Sequence, residues 1–306
     1  MDKLVSCITP TFNRAELVKA AIESSIEQTY PHWEHIVVDD QSSDHTEAVV
    51  RAYAERDPRV KYLRNPGKGQ NSARNFGIRA ARGEYLAFLD DDDKSLPHRF
   101  ESQLRAMLKS GNRFLVSGYR VVNQATGETI AEEKLGLKAG GAGFPSRWMV
   151  ARSLWEQVGG FDEDYPSMTD VEFSYRVAEH ETFALHDDIV TAYFVTPGSA
   201  SRIKSNTVKG RLLLMERNES RMHPLEAAWW HFIIGLDFYG LKEDAKADEH
   251  FRKAANLDPR GIYRWASRYY QLAGLLKGPF RKLNFRVLKK LSNYRFPVLV
   301  HHPVVK

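Results

Sequence analysis

The residues best suited to chemistry fall in three short stretches, each directly after an apolar run. Asp90-Asp91-Asp92-Asp93 follows Glu84-Tyr85-Leu86-Ala87-Phe88-Leu89. Four adjacent carboxylates repel one another, and a bound cation is the usual remedy. All-oxygen ligation suits Mg2+ or Mn2+ rather than zinc, and the only cysteine, Cys7, rules out a thiolate cluster. The same aspartates can instead favour the start of a helix near Pro97, where acids interact well with the helix dipole. The second stretch is Asp39-Asp40-Gln41-Ser42-Ser43-Asp44. A carboxylate there can accept the imide N–H of a uracil or hold a ribose, and Ser43 or Asp44 can cap the next helix. Both hold if Asp44 caps and Asp40 binds. The third, Pro10-Thr11-Phe12-Asn13, offers backbone polar groups and an aromatic face for a flat base, or a phenylalanine that joins the core.

These stretches sit where strands end. Leu4 to Thr9 is a short apolar run, His35 to Val38 a second, Val60 to Leu63 a third and Glu84 to Leu89 a fourth. Helical spacing separates them: Leu17, Ala20, Ala21, Ile22 and Ile26 on one face, then Asp44 to Tyr53, then Asn71 to Ala81. Strands alternating with helices predict an α/β fold with a mostly parallel sheet and helices on both faces. Such sheets bind ligands beyond the carboxyl ends of their strands. Neither G-x-G-x-x-G after the first strand nor G-x-x-x-x-G-K-[ST] occurs, so dinucleotide redox and P-loop chemistry lack their signatures. A phosphate-bearing ligand held through a divalent metal remains.

With 42% hydrophobic and 27% charged residues over 306 positions, the chain reads as globular rather than disordered. The length suggests two domains, or one with an appendage. No apolar run nears the roughly 20 residues that span a bilayer, and the opening MDKLVSCITPTFNR lacks a signal-peptide core. A lone cysteine excludes a disulfide-stapled fold. The net charge of +5 hides an asymmetry: residues 203–306 carry 20 Lys/Arg against 9 Asp/Glu, and no acid follows Asp258.

Several segments together resemble glycosyltransferase family 2. They are Ser6-Cys7-Ile8-Thr9-Pro10-Thr11-Phe12-Asn13-Arg14, Gln28-Thr29-Tyr30, Trp33 to Asp44, Ala73-Arg74-Asn75-Phe76-Gly77-Ile78 and Gly83 to Asp93. Val158-Gly159-Gly160-Phe161-Asp162-Glu163 and Asp170-Val171-Glu172-Phe173-Ser174-Tyr175-Arg176 resemble its later, acceptor-side segment. The likeness spans about residues 3–202. It implies a GT-A fold, Rossmann-like with a mixed, mostly parallel sheet, and an inverting sugar transfer from a nucleotide-sugar, UDP-linked foremost. It further implies that Thr11, Phe12 and Asp40 hold the base, that Asp90 and Asp92 form the acidic metal motif for Mn2+ or Mg2+, and that Asp170 is the general base. The candidate donor-binding set is then Pro10, Thr11, Phe12, Asn13, Arg14, Asp39, Asp40, Arg74, Asp90 and Asp91. Trp148, Thr169 and Glu172 are the acceptor candidates. Read from spacing alone, Asp170 caps the helix through Phe173 and Val177, and Trp148 belongs in a core as readily as against a sugar.

The chain departs from the family where Thr169 replaces the usual Glu and where Phe194 and Thr196 replace Arg and His. The last change removes a possible metal ligand, for which Arg202 or Lys204 can compensate electrostatically. The processive Q-x-x-R-W motif is absent, so single addition is expected. Gly136 to Gly143, with Lys138, reads as a connector or as a mobile loop near the acceptor.

The expected division is a catalytic domain over 1–204, with a nucleotide-sugar half to about 95 and an acceptor half from 96, followed by a basic helical extension over 205–306. Within the extension, Gly235, Ala247, Phe251, Ala254 and Pro259 are spaced like one tetratricopeptide repeat, with His231 where that repeat has tryptophan. One repeat cannot bury its own faces, so the pair is expected to pack on the catalytic domain or on a second subunit. Residues 260–306 mix Arg and Lys with aromatics, as a surface helix for an anionic membrane does. The acidic catalytic half disfavours nucleic acid as the partner. The reading is therefore a glycosyltransferase of cell-surface polysaccharide synthesis acting on a glycan or lipid-linked saccharide. It would be cytoplasmic or peripheral on the inner face of the membrane, with a homo-oligomer possible. Two alternatives stand beside it: a catalytically silent sugar-nucleotide binder, and a metal-dependent nucleotidyltransferase releasing pyrophosphate.

Overall fold

The computed structural model describes residues 2–134, 143–194, 204–258 and 261–274. The chain divides into two compact units. Among the described residues the first holds 2–164 and 169–194, and the second holds 165–168 and 204–274.

The first unit alternates strand and helix as its periodicity requires. Its elements run β1 (Val5–Thr11), α1 (Ala15–Ile26), β2 (Trp33–Asp39), α2 (Thr46–Arg56), β3 (Val60–Arg64), α3 (Gln70–Ala80) and β4 (Tyr85–Phe88). Then follow β5 (Lys94–Ser95), α4 (Arg99–Ser110), β6 (Phe114–Val122), β7 (Thr129–Glu133), β8 (Trp148–Ala151), α5 (Arg152–Val158), α6 (Thr169–Ala178) and β9 (Ala184–Phe194). The strands form one mixed sheet of order β3-β2-β1-β4-β8-β6-β9-β5, with β7 paired to β6. Parallel pairing holds from β3 through β4 and recurs between β6 and β9, while β8, β5 and β7 run antiparallel to their neighbours.

β1 runs two residues past its expected end and includes Pro10. Its pairing with β4 stops at Ile8 opposite Phe88, so the N–H that proline lacks is not needed on that side.

Strand side chains alternate between two cores, one on each face of the sheet. Ile36, Val38, Leu86 and Phe88 join Ala73, Phe173 and Val177 from α3 and α6. Val37, Ala87 and Leu89 join Val18, Ile22, Val50, Phe100 and Leu104 from α1, α2 and α4. That period-two division explains why the strands read as unbroken apolar runs: both faces are covered. α3 lies so close to the sheet that a Cβ on Gly77 would come within 2.8 Å of Val38 and 2.9 Å of Ile8. The approach holds the amino end of α3 beside the carboxyl ends of β1 and β2.

The second unit contains α7 (Lys204–Asn218), α8 (Pro224–Gly240), α9 (Asp244–Leu257) and α10 (Ile262–Gly274). α8 and α9 are the helical pair expected from the repeat-like spacing, and Ala247, Phe251 and Ala254 are fully buried. Gly235 permits the crossing, since a Cβ there would meet the Phe251 ring at 2.7 Å. α10 supplies a third layer, with Tyr263 against Phe232 and Tyr270 against Phe251. His231, in the place of the repeat's tryptophan, is buried with Nδ1 3.0 Å from His250 Nδ1 and Nε2 3.0 Å from Glu219. Among the described residues no helix is long and apolar enough to cross a membrane. The basic, aromatic tract after residue 274 lies outside the described residues.

Candidate active site

The carboxyl ends of β1, β2 and β4 carry the three stretches, as expected of a sheet whose parallel strands share one direction. Phe12, just past β1, is 53% exposed, so its ring is available for stacking rather than spent in the core. Asn13 takes a positive φ of 51°. Its side-chain oxygen accepts from Ser43 N at 2.8 Å, and its own N–H donates to Ser42 Oγ at 2.8 Å. The β1 and β2 loops are thereby tied together, which gives Asn13 a loop-fixing part.

Asp39 is fully buried and accepts from Ser42 N and the Tyr62 hydroxyl, so it shapes the loop from inside. Unlike Asp40 it presents no exposed carboxylate, and its place among the donor-contacting candidates gains no support. Pro10 is likewise buried within β1. Asp40 is the partly exposed member of the pair. It accepts from Asn65 Nδ2 at 2.7 Å and from Gly69 N at 2.8 Å, which orients the carboxylate while leaving lone pairs unused. Asp44 accepts from Thr46 N and Oγ1 at the start of α2, but the capping position itself is held by His45, so Asp44 lies one residue ahead of the place expected for it.

The aspartate quartet alternates. Asp90 and Asp92 are partly exposed at 25% and 12% of their side chains, whereas Asp91 and Asp93 are buried. Asp91 accepts from Thr11 Oγ1 at 2.8 Å and Arg14 Nη1 at 2.7 Å. Burial pushes its carboxyl up to about 6, against the pull of Arg14. Asp93 is held well above the usual carboxylate range by burial and by Asp90, and its Oδ2 has no hydrogen-bond partner. Arg14 reaches Asp92 at 3.1 Å, and Arg74, itself buried, pairs with Asp90. Arginines supply the positive charge beside Asp90, Asp91 and Asp92. Among the described residues no group of three or more His, Cys, Asp or Glu is arranged to hold a metal. Asp90 and Asp92 offer oxygen donors with partial access, a set that suits a hard cation whose remaining ligands come from elsewhere.

Spacing alone did not single out what supports the quartet. Arg99, fully buried on α4, donates to the carbonyls of Phe88 and Trp148 and to Ser95 Oγ, bracing the end of β4. Ser146 Oγ accepts from Asp90 N at 2.9 Å. Both come from distant segments whose residue types are unremarkable in sequence.

Asp170 lies in the first turn of α6. It is not the helix cap, because the helix already begins at Thr169. Burial pushes its carboxyl up to about 6, with Arg74 lowering and Asp90 raising it. Arg74 and Asp90 are thus close enough to this carboxyl to act on it electrostatically.

The other acceptor-side candidates need correction. Trp148 is wholly buried, edge-on to Phe88 and Phe114 and stacked on Phe173, so it is a core residue with no face for a sugar. Glu172 is buried and paired with Arg176, one turn along α6. Arg176 donates in turn to Val158 O at 2.8 Å and Gly160 O at 2.6 Å. Glu172 therefore pins the Gly159-Gly160 turn, where both glycines take positive φ. Asn75 holds the next residue, donating to Phe161 O and accepting from Phe161 N. Thr169 is nearly buried. Phe194 donates its backbone N–H to Asp93 and lies 5.7 Å from Lys94 Nζ. Thr196, Arg202, Lys138 and the Lys204 side chain lie outside the described residues, as does the Gly-rich stretch before Gly143.

A sequence profile described as "Glycosyl transferase family 2" matches residues 6–166, just over half of the chain. The chain is 38% identical over 137 residues to the Escherichia coli UDP-Glc:alpha-D-GlcNAc-diphosphoundecaprenol beta-1,3-glucosyltransferase WfgD, covering 44% of this chain and 53% of that protein. It is 38% identical over 123 residues to the Bacillus subtilis putative teichuronic acid biosynthesis glycosyltransferase TuaG, covering 40% and 48%. The chain thus spans about half the length of these curated relatives. Among solved structures, S. aureus TarS 1–349 in complex with UDP-GlcNAc superposes with a TM-score of 0.66 at 17% identity, over 95% of this chain and 93% of that one. Mannosyltransferase PcManGT from Pyrobaculum calidifontis, in complex with GDP-Man and Mn2+, gives 0.59 at 19% identity, over 96% and 87%. At those identities the structural likeness establishes the fold.

Proposed function

The chain belongs to glycosyltransferase family 2, and from that premise we propose that it is an inverting, divalent-metal-dependent transferase that moves a sugar from a UDP-linked donor to a hydroxyl of a lipid-linked saccharide. The observation that carries the reading is the alternation of the quartet at the end of β4, which turns Asp90 and Asp92 towards solvent while Asp91 is anchored beneath them by Thr11 and Arg14; Asp170, early in α6, adds a carboxyl pushed up to about 6, chiefly by burial. A base so tuned is ionised near neutrality yet more basic than an ordinary aspartate.

In this reading Phe12 stacks on the base, and Asp40, preset by Asn65 and Gly69, accepts its imide N–H. Thr11 and Arg14 fix Asp91, which keeps the quartet turned with Asp90 and Asp92 outward. Asp90 and Asp92 would hold Mn2+ or Mg2+, which when bound offsets the charge gathering on the departing diphosphate. Asp170 takes the acceptor hydroxyl proton as that oxygen attacks the anomeric carbon. The bond from that carbon to the diphosphate oxygen breaks on the opposite side, so the configuration inverts.

The printed names of the relatives supply the acceptor class: one acts on a diphosphoundecaprenol-linked sugar, the other belongs to teichuronic acid biosynthesis. A role in cell-surface polysaccharide synthesis follows by extension. Trp265 is 53% exposed on α10, and Arg264 and Arg268 are exposed beside it, which supports peripheral contact with an anionic membrane.

The test is UDP release from a panel of UDP-sugars with an undecaprenyl-diphosphate-linked sugar as acceptor. Turnover that requires Mn2+ or Mg2+, stops with EDTA and is lost in Asp92→Asn supports the reading. Metal-independent turnover, or products of retained configuration, rejects it. A second reading, donor binding without turnover, is favoured by the arginines that already neutralise Asp90, Asp91 and Asp92. UDP that raises the melting temperature of a protein releasing no UDP from any donor would favour it.

A further inference from the structure

We propose that Arg14 is a resident counter-cation of the acidic cleft, and that it and a divalent ion exclude each other at Asp92. The inference rests on the metal-binding part given above to Asp90 and Asp92. One nitrogen, Arg14 Nη1, lies 2.7 Å from Asp91 Oδ1 and 3.1 Å from Asp92 Oδ2, bridging a buried carboxylate and a partly exposed one. A guanidinium at that distance uses the lone pairs an ion needs, and its charge repels a second cation placed beside it.

The geometry lets Arg14 yield at one contact and keep the other. Its backbone is fixed at the start of α1, where its carbonyl accepts from Leu17 N and Val18 N. Its side chain is 26% exposed, so the guanidinium can shift towards solvent without disturbing the helix. Asp91 is independently held by Thr11 Oγ1 at 2.8 Å, so it stays oriented when the guanidinium shifts. Asp92 lies nearer solvent than Asp91 and is the contact at which exchange can occur.

Arg14 therefore weakens metal binding to the donor-free protein. A nucleoside diphosphate adds negative charge to the cleft and relieves the competition. Metal and nucleotide are then coupled, each raising the affinity for the other, and part of that coupling is due to Arg14.

The experiment titrates Mn2+ into wild type, Arg14→Gln and Asp92→Asn by electron paramagnetic resonance, with and without UDP. Arg14→Gln is expected to bind Mn2+ about ten-fold more tightly than wild type without UDP, and to gain less from adding UDP. Equal or weaker Mn2+ binding by Arg14→Gln overturns the inference. Asp92→Asn tests the underlying reading separately: Mn2+ binding equal to wild type removes Asp92 from the metal site whatever Arg14→Gln does. Mn2+ that binds none of the three proteins, with or without UDP, overturns both. Should Arg14→Gln not fold, wild-type crystals soaked in Mn2+ decide the matter. Arg14 Nη1 beyond hydrogen-bond distance of a metal-bound Asp92 supports the inference, and an intact contact rejects it.

Discussion

Buried carboxylates at the two ends of the parallel strands meet opposite fates. At the amino end of β2, Glu34 is buried, yet it accepts from Ser6 Oγ at 2.7 Å, Lys61 Nζ at 2.5 Å and Arg82 N at 2.6 Å. Burial alone would raise its carboxyl, but these partners prevail and bring it down to about 2. At the carboxyl end, Asp91 and Asp170 are pushed up to about 6, and Asp93 is raised with one oxygen unpartnered. The first arrangement completes a charge within the protein and so contributes stability. In the second the carboxyls stay raised despite the partners they have, and perturbed carboxyls of that kind mark functional sites.

Exchanging the properties of the two ends would break this contrast. Asp170→Asn should cost the most, about 1,000-fold in kcat, while the melting temperature holds or rises because a partly buried carboxyl with a raised pKa has gone. In wild type, kcat/KM should fall about ten-fold per pH unit below about 6, as the base becomes protonated. A pH-independent rate between 5 and 7 would remove Asp170 from that part.

Glu34→Gln should do the reverse, lowering stability by about 3 kcal/mol with kcat unchanged. The sign follows from its depressed carboxyl: stability is fully present above the ordinary value of 4.5 and is lost as pH falls towards about 2. Chemical denaturation of both proteins at pH 7 and pH 3 reads this, and the gap between them should narrow at the lower pH.

The smallest effect is expected at Phe12, where substitution by Ala should weaken the donor by about 1 kcal/mol, or five-fold in KM, with stability unaltered. A large loss of stability would instead show that the ring is a packing group despite its exposure.

The donor side was legible because its signals are local. Apolar runs ending at Thr9, Val38 and Leu89 indicate, to within two residues, where short loops emerge, and parallel strands bring those loops to one edge. The alternation that turns Asp39 inward and Asp40 outward is also local, yet it depends on which residue ends the strand, a point that period-two reasoning leaves ambiguous by one. The acceptor side was less legible. Trp148 and Glu172 have residue types common in binding sites, and both are interior because β8 pairs between β4 and β6 and because Arg176 lies one helical turn from Glu172. The strand pairing leaves no record in sequence distance, whereas the four-residue spacing of Glu172 and Arg176 is readable once that segment is taken as a helix.

The order of the first four strands and their helices, the placement of three acidic or aromatic loops after strands, and the helical pair around Gly235 and Phe251 were legible in the sequence itself, since each follows from periodicity and backbone chemistry over a few neighbouring residues. Tertiary structure alone decided which carboxylates are satisfied. Arg14 on Asp92, Arg74 on Asp90, Arg99 beneath β4 and Ser146 on Asp90 join residues from 11 to 78 positions apart. A charge's surroundings in three dimensions, rather than its neighbours in the chain, set whether it stabilises the fold or stays available for chemistry.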